Sequence, residues 1–389
     1  QASLRQLDKT LSMAIAQPAD SLPGRGGLAI SLLPSLAGSH EGLRRYFADY
    51  PYTCLEQKTS KAIGLRDSAM WQKVANDLPT YLDSDGLASY YPPGNGSNRG
   101  SDTLTAYLIA ATNEANFTIP DASRNKMLQG LAAFVEGRIT RDFWSPKKDL
   151  EVRKLAALEA LSRYGQVQER MLGSIQINPD VWPTSAVMDW IAILQRTTSI
   201  VKRDIYLKEA DQILRSRLNY QGTRLGFSNE QDDYWWWLMG NSDNSANRLI
   251  LLMLNNPAWD DMPKLMTGAI QRQVRGHWMS TTANVWGSLA LEKFAQKFES
   301  EKVAGSTKAN LQQGASSTPA QTYNWTATGG GKLMLPWPTV GAPTDSIKLI
   351  HEGKGKPWVT IQSLAAVALK APFSSGYRIT KTFTPVEQK

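Results

Sequence analysis

Hydrophobic and polar positions alternate in two different textures along this chain. From about residue 40 to residue 298 the texture is helical. Five segments stand out there: TLTAYLIAATNEA (Thr103 to Ala115), DLEVRKLAALEALSRYG (Asp149 to Gly165), TSAVMDWIAILQRT (Thr184 to Thr197), NSANRLILLMLNNP (Asn244 to Pro257) and TTANVWGSLALEKFAQKF (Thr281 to Phe298). Each opens on Thr, Asp or Asn, side chains that accept hydrogen bonds from the orphan N–H groups of a first helical turn. Each then carries apolar residues on most faces, as helices packed on two sides do. They recur at roughly 35–60 residues, which leaves room for a second helix per unit and predicts repeated helical hairpins. Inner helices of a closed α/α toroid have this pattern.

After Phe298 the texture changes. ESEKVAGSTKANLQQGASSTPAQ is polar and reads as a linker. Beyond it KLMLPWP, SIKLIHEG, PWVTIQSLAAVAL and GYRITKTFTP are short, β-rich and separated by Gly and Pro, so they predict strands. GGLAISLLPS, Gly26 to Ser35, is strand-like as well. The expected organisation is an N-terminal segment over 1–23, the first strand or strands of a β domain over 24–38, a mainly α domain over 39–298, and a linker with the remaining strands over 299–389. The helical domain is then an insertion in the smaller β domain.

Composition narrows the classes. With 42% hydrophobic and 20% charged residues the chain is an ordinary globular sequence rather than a disordered one. No apolar run reaches the length of about 18 residues that a membrane-spanning helix needs. The formal net charge is +8, but Lys and Arg are dispersed rather than gathered in a stripe, which argues against nucleic acid as a partner. A single Cys excludes a disulfide framework and a cysteine zinc site, and no cofactor motif is present. The start lacks the basic and apolar regions of a signal peptide. With no initiating Met and a polar end, the chain is expected to be part of something longer.

That single cysteine lies in YPYTCLEQKTS, Tyr50 to Ser60. Thr53 and Glu56 fit the S/T-x-x-E capping box, which predicts a helix starting at Cys54. In a first turn the helix dipole favours a thiolate. Gln57 sits three residues on, on the same face. A thiolate facing a carboxamide at that spacing can attack it, expel ammonia and close an intramolecular thioester. Such an activated acyl group needs cover from water, which Tyr50, Tyr52, Tyr90 and Tyr91 could supply. Cys-x-x-Gln spacing alone is a weak signal, and an inert buried Cys54 is the commoner reading of a free cysteine.

Tyr-Pro-Tyr-Thr-Cys54-Leu55-Glu56-Gln57 resembles the thioester motif of the α2-macroglobulin and complement family in its bacterial form. Thr103 to Ala115, GHWMSTTANVWGSLALEKF (Gly276 to Phe294) and GKPWVTIQSLAA (Gly355 to Ala366) are similar to other segments of that family. The resemblance implies an α/α-toroid thioester domain inserted in a CUB-like β-sandwich. It also implies a bacterial α2-macroglobulin, an endopeptidase inhibitor rather than an enzyme. On that reading cleavage of a bait segment exposes the Cys54–Gln57 thioester, which acylates lysine amines of the attacking protease, once per molecule. Periplasmic location, a lipoprotein anchor to the inner membrane outside this chain, a penicillin-binding protein or other envelope partner and a role in bacterial defence follow from the same resemblance. Leu55 stands where vertebrate members carry Gly. Of the three histidines, His40, His277 and His351, none falls in the stretch around Phe143 to Arg153 where some complement members place an acyl-accepting histidine. Direct attack by amines is therefore expected, with His277 a loop histidine able to approach the site.

Two other readings stay open. QDDYWWWLMG places Asp232 and Asp233 beside three tryptophans, and a toroid can host a glycan-processing enzyme. Adjacent carboxylates diverge, however, whereas such enzymes need two groups facing each other across a substrate. The third reading is a helical scaffold that binds proteins without reacting.

Overall fold

The computed structural model describes residues 2–36, 41–93, 100–141, 149–221, 224–228, 238–259, 261–326, 329–339, 343–368, 376 and 380–383. The chain divides into two compact units, one of residues Gln1–Pro34 and Glu301–Lys389 and one of Ser35–Ser300. No described helix is long and apolar enough to cross a membrane.

Three strands come first: β1 (Ala2–Gln6), β2 (Thr10–Ala14) and β3 (Ser21–Leu33). The helical unit follows with α1 (Glu41–Asp49), α2 (Leu55–Gly64), α3 (Ser68–Asp77), α4 (Asp102–Glu114), α5 (Asp121–Val135), α6 (Asp149–Ser162), α7 (Glu169–Leu172), α8 (Thr184–Arg196), α9 (Arg203–Ser216), a hairpin of β4 (Leu218–Gln221) and β5 (Arg224–Phe227), α10 (Ser242–Met253), α11 (Met262–Gln271) and α12 (Thr281–Phe298). Six strands complete the chain: β6 (Ala304–Gln313), β7 (Ser316–Ser317), β8 (Gln321–Asn324), β9 (Gly331–Pro336), β10 (Ser346–Lys354) and β11 (Trp358–Val367).

The β unit holds two antiparallel sheets, one in the order β1-β11-β3-β9 and one in the order β2-β10-β6-β7, with β8 also on β6. Alternate residues of each strand turn inward, as the period of two requires. Leu28, Ile30, Leu32, Leu335, Val359 and Ile361 from the first sheet share one core with Ala309, Leu311, Ile347 and Leu349 from the second. Two expectations are corrected here. Residues 2–6 and 10–14, expected as a plain N-terminal segment, pair with β11 and β10. The supposed linker contains β6, whose Thr307, Ala309 and Leu311 face inward while Ser, Lys, Asn and Gln positions between them face out. Its polar half hid a strand that needs only one apolar face. Of the predicted strand at GYRITKTFTP, residues 376 and 380–383 are described and none of them is in a strand; the others lie outside the described residues.

In the helical unit burial separates two kinds of helix. Eleven of the thirteen residues of α4 and ten of the thirteen of α8 are buried, whereas α9 buries only Ala210 and Leu214 of its fourteen. A helix buried all round must have neighbours on every side, and one with a narrow apolar stripe has them on one. The contacts agree: α2 packs on α4, α4 on α6, α6 on α8, α8 on α10, α10 on α12 and α12 back on α2. The amphipathic partners sit on single members or pairs of that cycle, α3 on α2, α5 on α4 and α6, α9 on α8 and α11 on α10.

Small residues allow two close approaches near the start of α12. A Cβ on Gly287 of α12 would lie 2.0 Å from the Trp278 ring, so Gly287 gives this buried indole its seat, with its Nε1 donating to the Ala269 carbonyl at 2.8 Å. A Cβ on Gly42 would lie 2.5 Å from the Gly276 carbonyl oxygen, so α1 and the turn before α12 touch backbone to backbone. Gly276 itself is left-handed, with φ +82.

Candidate functional site

The start of α2 is one residue later than the sequence suggests. Cys54, not Thr53, is the N-cap, in extended conformation at φ −66 and ψ 169. The capping box is formed by Cys54 and Gln57: the Gln57 N–H donates to the Cys54 sulfur, and the Cys54 N–H donates to Gln57 Oε1 at 3.2 Å. A thiol is an uncommon cap, but the reciprocal geometry is that of Ser-x-x-Gln. The thiol and the carboxamide are thereby folded onto the same turn. The Leu55 N–H, another orphan of that turn, donates to the Tyr90 carbonyl at 2.9 Å.

Glu56 is therefore released from capping. It is buried, and its Oε1 accepts from Ser60 Oγ at 2.6 Å and from Thr281 Oγ1 at 2.8 Å. Ser60 Oγ also shares a hydrogen bond of 2.7 Å with the Tyr107 hydroxyl. One carboxylate thus ties the first turn of α2 to the first turn of α12, and through Ser60 to α4. Burial raises the Glu56 pKa, and the two hydroxyl donors only partly offset it.

The Cys54 thiol is 5% exposed. Burial pushes its pKa up and the Glu56 charge adds to that, while the N–H groups of the first turn pull the other way without winning. The expectation that the helix start would favour a thiolate is thus corrected: desolvation outweighs the dipole, and the resting group is the thiol.

Tyr50 and Tyr90 lie near enough to Cys54 that ionising the thiol would raise their hydroxyls further. Tyr46, Tyr50, Tyr90 and Tyr107 are all raised above the usual phenol range, by burial first and with Glu56 adding to each, so they remain hydroxyls. Tyr46 stacks near Tyr50 at 5.3 Å, and Tyr50 meets Tyr52 edge-on at 5.7 Å. Tyr52 and Tyr91 are 65% and 64% exposed and Tyr90 is 39% exposed, so part of each faces water, whereas Tyr50 is half-buried. His277 lies against Tyr46, ring centroids 4.7 Å apart, and its Nδ1 is 2.8 Å from the Trp278 carbonyl oxygen. The Gly42–Gly276 approach brings it there.

The loop that supplies Tyr90 is braced by Asp83. Its carboxylate accepts from the N–H groups of Asp85, Leu87 and Gly100 and from Arg141, at 2.7–3.0 Å. Tyr46, Ser60, Tyr107 and Thr281 do not stand out in the sequence. Ser60 at i+4 from Glu56 was the available signal for one of them; the others come from distant helices. Asp232, Asp233 and His40 lie outside the described residues. Among the described residues no group of His, Cys, Asp and Glu is arranged to hold a metal ion.

No protein-family model and no curated protein matches the chain. Solved structures do. The chain is similar to Escherichia coli alpha-2-macroglobulin activated by porcine elastase, with 15% identity, a TM-score of 0.58, and coverage of 97% of this chain and 33% of that one. It is similar to native E. coli alpha-2-macroglobulin from domain MG7 to the C-terminus, at 16% identity and TM-score 0.55, covering 96% and 58%. Salmonella alpha-2-macroglobulin reacted with methylamine matches at 15% identity and TM-score 0.52, covering 97% and 24%. The chain thus spans between about a quarter and just over half of these relatives. At such identities the likeness establishes the fold: a mixed helical and β architecture of the kind found in bacterial alpha-2-macroglobulins.

Proposed function

We propose that this chain is the thioester-bearing part of a protease-trapping protein, in which Cys54 and Gln57 form the reactive bond. The single observation that carries this is the reciprocal pair at the start of α2, where the carboxamide oxygen of Gln57 accepts from the Cys54 N–H and the Gln57 N–H reaches the Cys54 sulfur. An oxygen already held by an N–H at a helix N-terminus is where negative charge is best tolerated as a nucleophile adds to Cδ.

In bond formation the Cys54 sulfur adds to Gln57 Cδ, the Cδ–Nε2 bond breaks, and ammonia leaves carrying the thiol proton. In the trapping step an amine adds to the same carbon, the Cδ–S bond breaks, and the Cys54 thiol returns with a proton from the amine. Nothing turns over. The raised thiol pKa suits this cycle, because a buried neutral sulfur resists oxidation while an acylated one needs no charge. Tyr50 and Tyr90 keep water from the bond, and Glu56 holds the first turn of α2 in register with α12.

Fold likeness extends the reading beyond that bond. The cycle of contacts from α2 through α12 supports an α/α toroid, and the two sheets with one core support a CUB-like β-sandwich into which it is inserted. The relative activated by elastase supports proteases as targets, and the relative reacted with methylamine supports amines as nucleophiles. A periplasmic setting, with an inner-membrane anchor and envelope partners outside this chain, completes the proposal.

Incubation with a fluorescent primary amine tests it. The wild-type chain should become labelled at residue 57 and gain a titratable thiol at Cys54, whereas Cys54→Ser and Gln57→Ala should stay dark. A wild-type chain that takes up no label, or variants labelled as well as it, would overturn the proposal.

A further inference from the structure

A cavity of about 80 Å³ lies among the helices of the contact cycle, away from Cys54 and Gln57. Tyr107 of α4, Glu159 of α6, Asp189 of α8, Asn244, Ser245 and Arg248 of α10, and Trp286 of α12 all line it. Glu159, Arg248 and Trp286 also line a second space of about 40 Å³ and so stand between the two.

The charges on this wall are spoken for. Arg248 pairs with Asp189, and Glu159 is held at 2.8 Å by both Arg163 and Arg196. On the rim Arg153 is bidentate with Asp102, at 2.9 and 2.6 Å. A charged ligand would find every opposite charge already engaged and would have to break a buried pair to bind.

Two polar atoms on the same wall are not engaged. Asn244 is 3% exposed and Ser245 1%, and among the described residues neither Asn244 Oδ1 nor Ser245 Oγ has a hydrogen-bond partner. Asn244 is oriented by its other end, since Nδ2 donates to the Met239 carbonyl and to Thr282 Oγ1. A helical serine normally satisfies itself on a carbonyl one turn back, and Ser245 does not. An unpaired buried polar group costs roughly 1–3 kcal/mol, so adjacent orphans lining one cavity ask for a donor from outside. Tyr107 and Trp286 meet edge to face, at 80° with centroids 6.2 Å apart, and form an aromatic wall suited to C–H groups beside the Arg248 guanidinium, which lies 5.5 Å from the Trp286 centroid.

We propose that this cavity binds a small neutral polyol, such as the hydroxylated edge of a sugar, with hydroxyls on Asn244 Oδ1 and Ser245 Oγ and its carbon face against Tyr107 and Trp286. At about 10–15 Å³ for each water-sized group the space takes roughly five to eight non-hydrogen atoms. Burial alone would raise Glu159, but Arg163, Arg196 and Arg248 overcome it and hold the carboxylate at about 2, while Asp189 on the same wall is raised by a burial that Arg248 offsets only in part. Polyol binding here is independent of the thioester.

Saturation-transfer NMR of the full chain with D-glucose and D-xylose tests it, with D-glucuronate and glucosamine as charged controls. Both neutral sugars should give signal with millimolar affinity, and the charged ones should bind at least about tenfold more weakly. Ser245→Ala should weaken binding about threefold to tenfold, the loss of one hydrogen bond. Ser245→Leu, or Ala110→Leu on α4 should Ser245→Leu fail to fold, should abolish it. No signal with either neutral sugar would mean that water alone satisfies the two atoms, and would overturn the proposal. So would signal unchanged in Ser245→Ala and in the folded leucine variant, or equal binding of glucuronate.

Discussion

Two buried glutamates in the same helical unit have opposite fates. Glu56 is held by hydroxyls, Ser60 and Thr281, and its pKa rises. Glu159 is held by guanidinium groups, Arg163 and Arg196 with Arg248 nearby, and its pKa falls to about 2. Hydroxyls supply direction without charge and do not offset the desolvation of Glu56, whereas several guanidinium groups together do so for Glu159; the single pair at Asp189 does not. The centre of the helical cycle is thus locked electrostatically, while the rim beside Cys54 is tied by geometry alone. A locked centre suits a scaffold, and a rim whose buried carboxylate is held by hydroxyls rather than cations suits the reactive bond proposed for Cys54 and Gln57.

The largest effect should come from unlocking the centre. Arg163, buried and bonded to both Glu159 and Glu114, holds two carboxylates at once. Arg163→Met leaves Glu159 on Arg196 and Glu114 on Lys293 but takes a charged hydrogen-bond partner from both, and should cost about 1.5–3 kcal/mol, read as a shifted urea midpoint with unchanged slope. A loss under about 1 kcal/mol would mean that the cluster is not a lock.

Next comes the seat of the turn that carries His277. Gly287→Ala sets a methyl against the Trp278 ring and should cost about 1–3 kcal/mol by overpacking, with a shift in tryptophan fluorescence that places the strain at the rim. Neutral stability with unchanged fluorescence would show that the indole has room to move.

The glutamates should separate cleanly with pH. Glu159 is depressed, so its stabilisation is complete above the ordinary value of 4.5 and is lost as pH falls from there towards about 2. Glu56 is raised, so its charged form burdens the fold above its folded pKa, and the burden fades as pH falls towards 4.5. Glu56→Gln keeps an acceptor oxygen for Ser60 and Thr281. Its stability relative to wild type should therefore be most favourable at neutral pH and shrink as pH falls towards 4.5. A difference flat across that range would refute the assignment. At the small end, Lys308→Ala breaks an exposed pair with Glu352 in the β unit and should change stability by no more than about 1 kcal/mol.

How legible was this in the sequence? The helices buried all round are plain, because the apolar fill of Thr103–Ala115 and Thr184–Thr197 leaves no polar face. Their starts are less plain: α4 caps on Ser101, ahead of the Thr103 that opens the apolar run. At Thr53-Cys54-Leu55-Glu56-Gln57 two capping boxes overlap, offset by one residue. Residue pattern favours the ordinary one, Thr with Glu, over Cys with Gln, because cap preferences rank hydroxyls above thiols. Edge strands such as β2, with only alternate positions half-buried, carry too little apolar signal to read. The partners on α4 and α12 needed the fold, since Tyr107 lies 47 positions from Ser60 and Thr281 lies 225 from Glu56.

The central claim is the bond between Cys54 and Gln57. Intact mass of the freshly folded chain, taken before and after methylamine, tests it most directly. The chain should be lighter than its sequence mass by one ammonia with no titratable thiol, and should then gain one methylamine and one thiol together. Full sequence mass with a freely titrating Cys54, unchanged by methylamine, would contradict it.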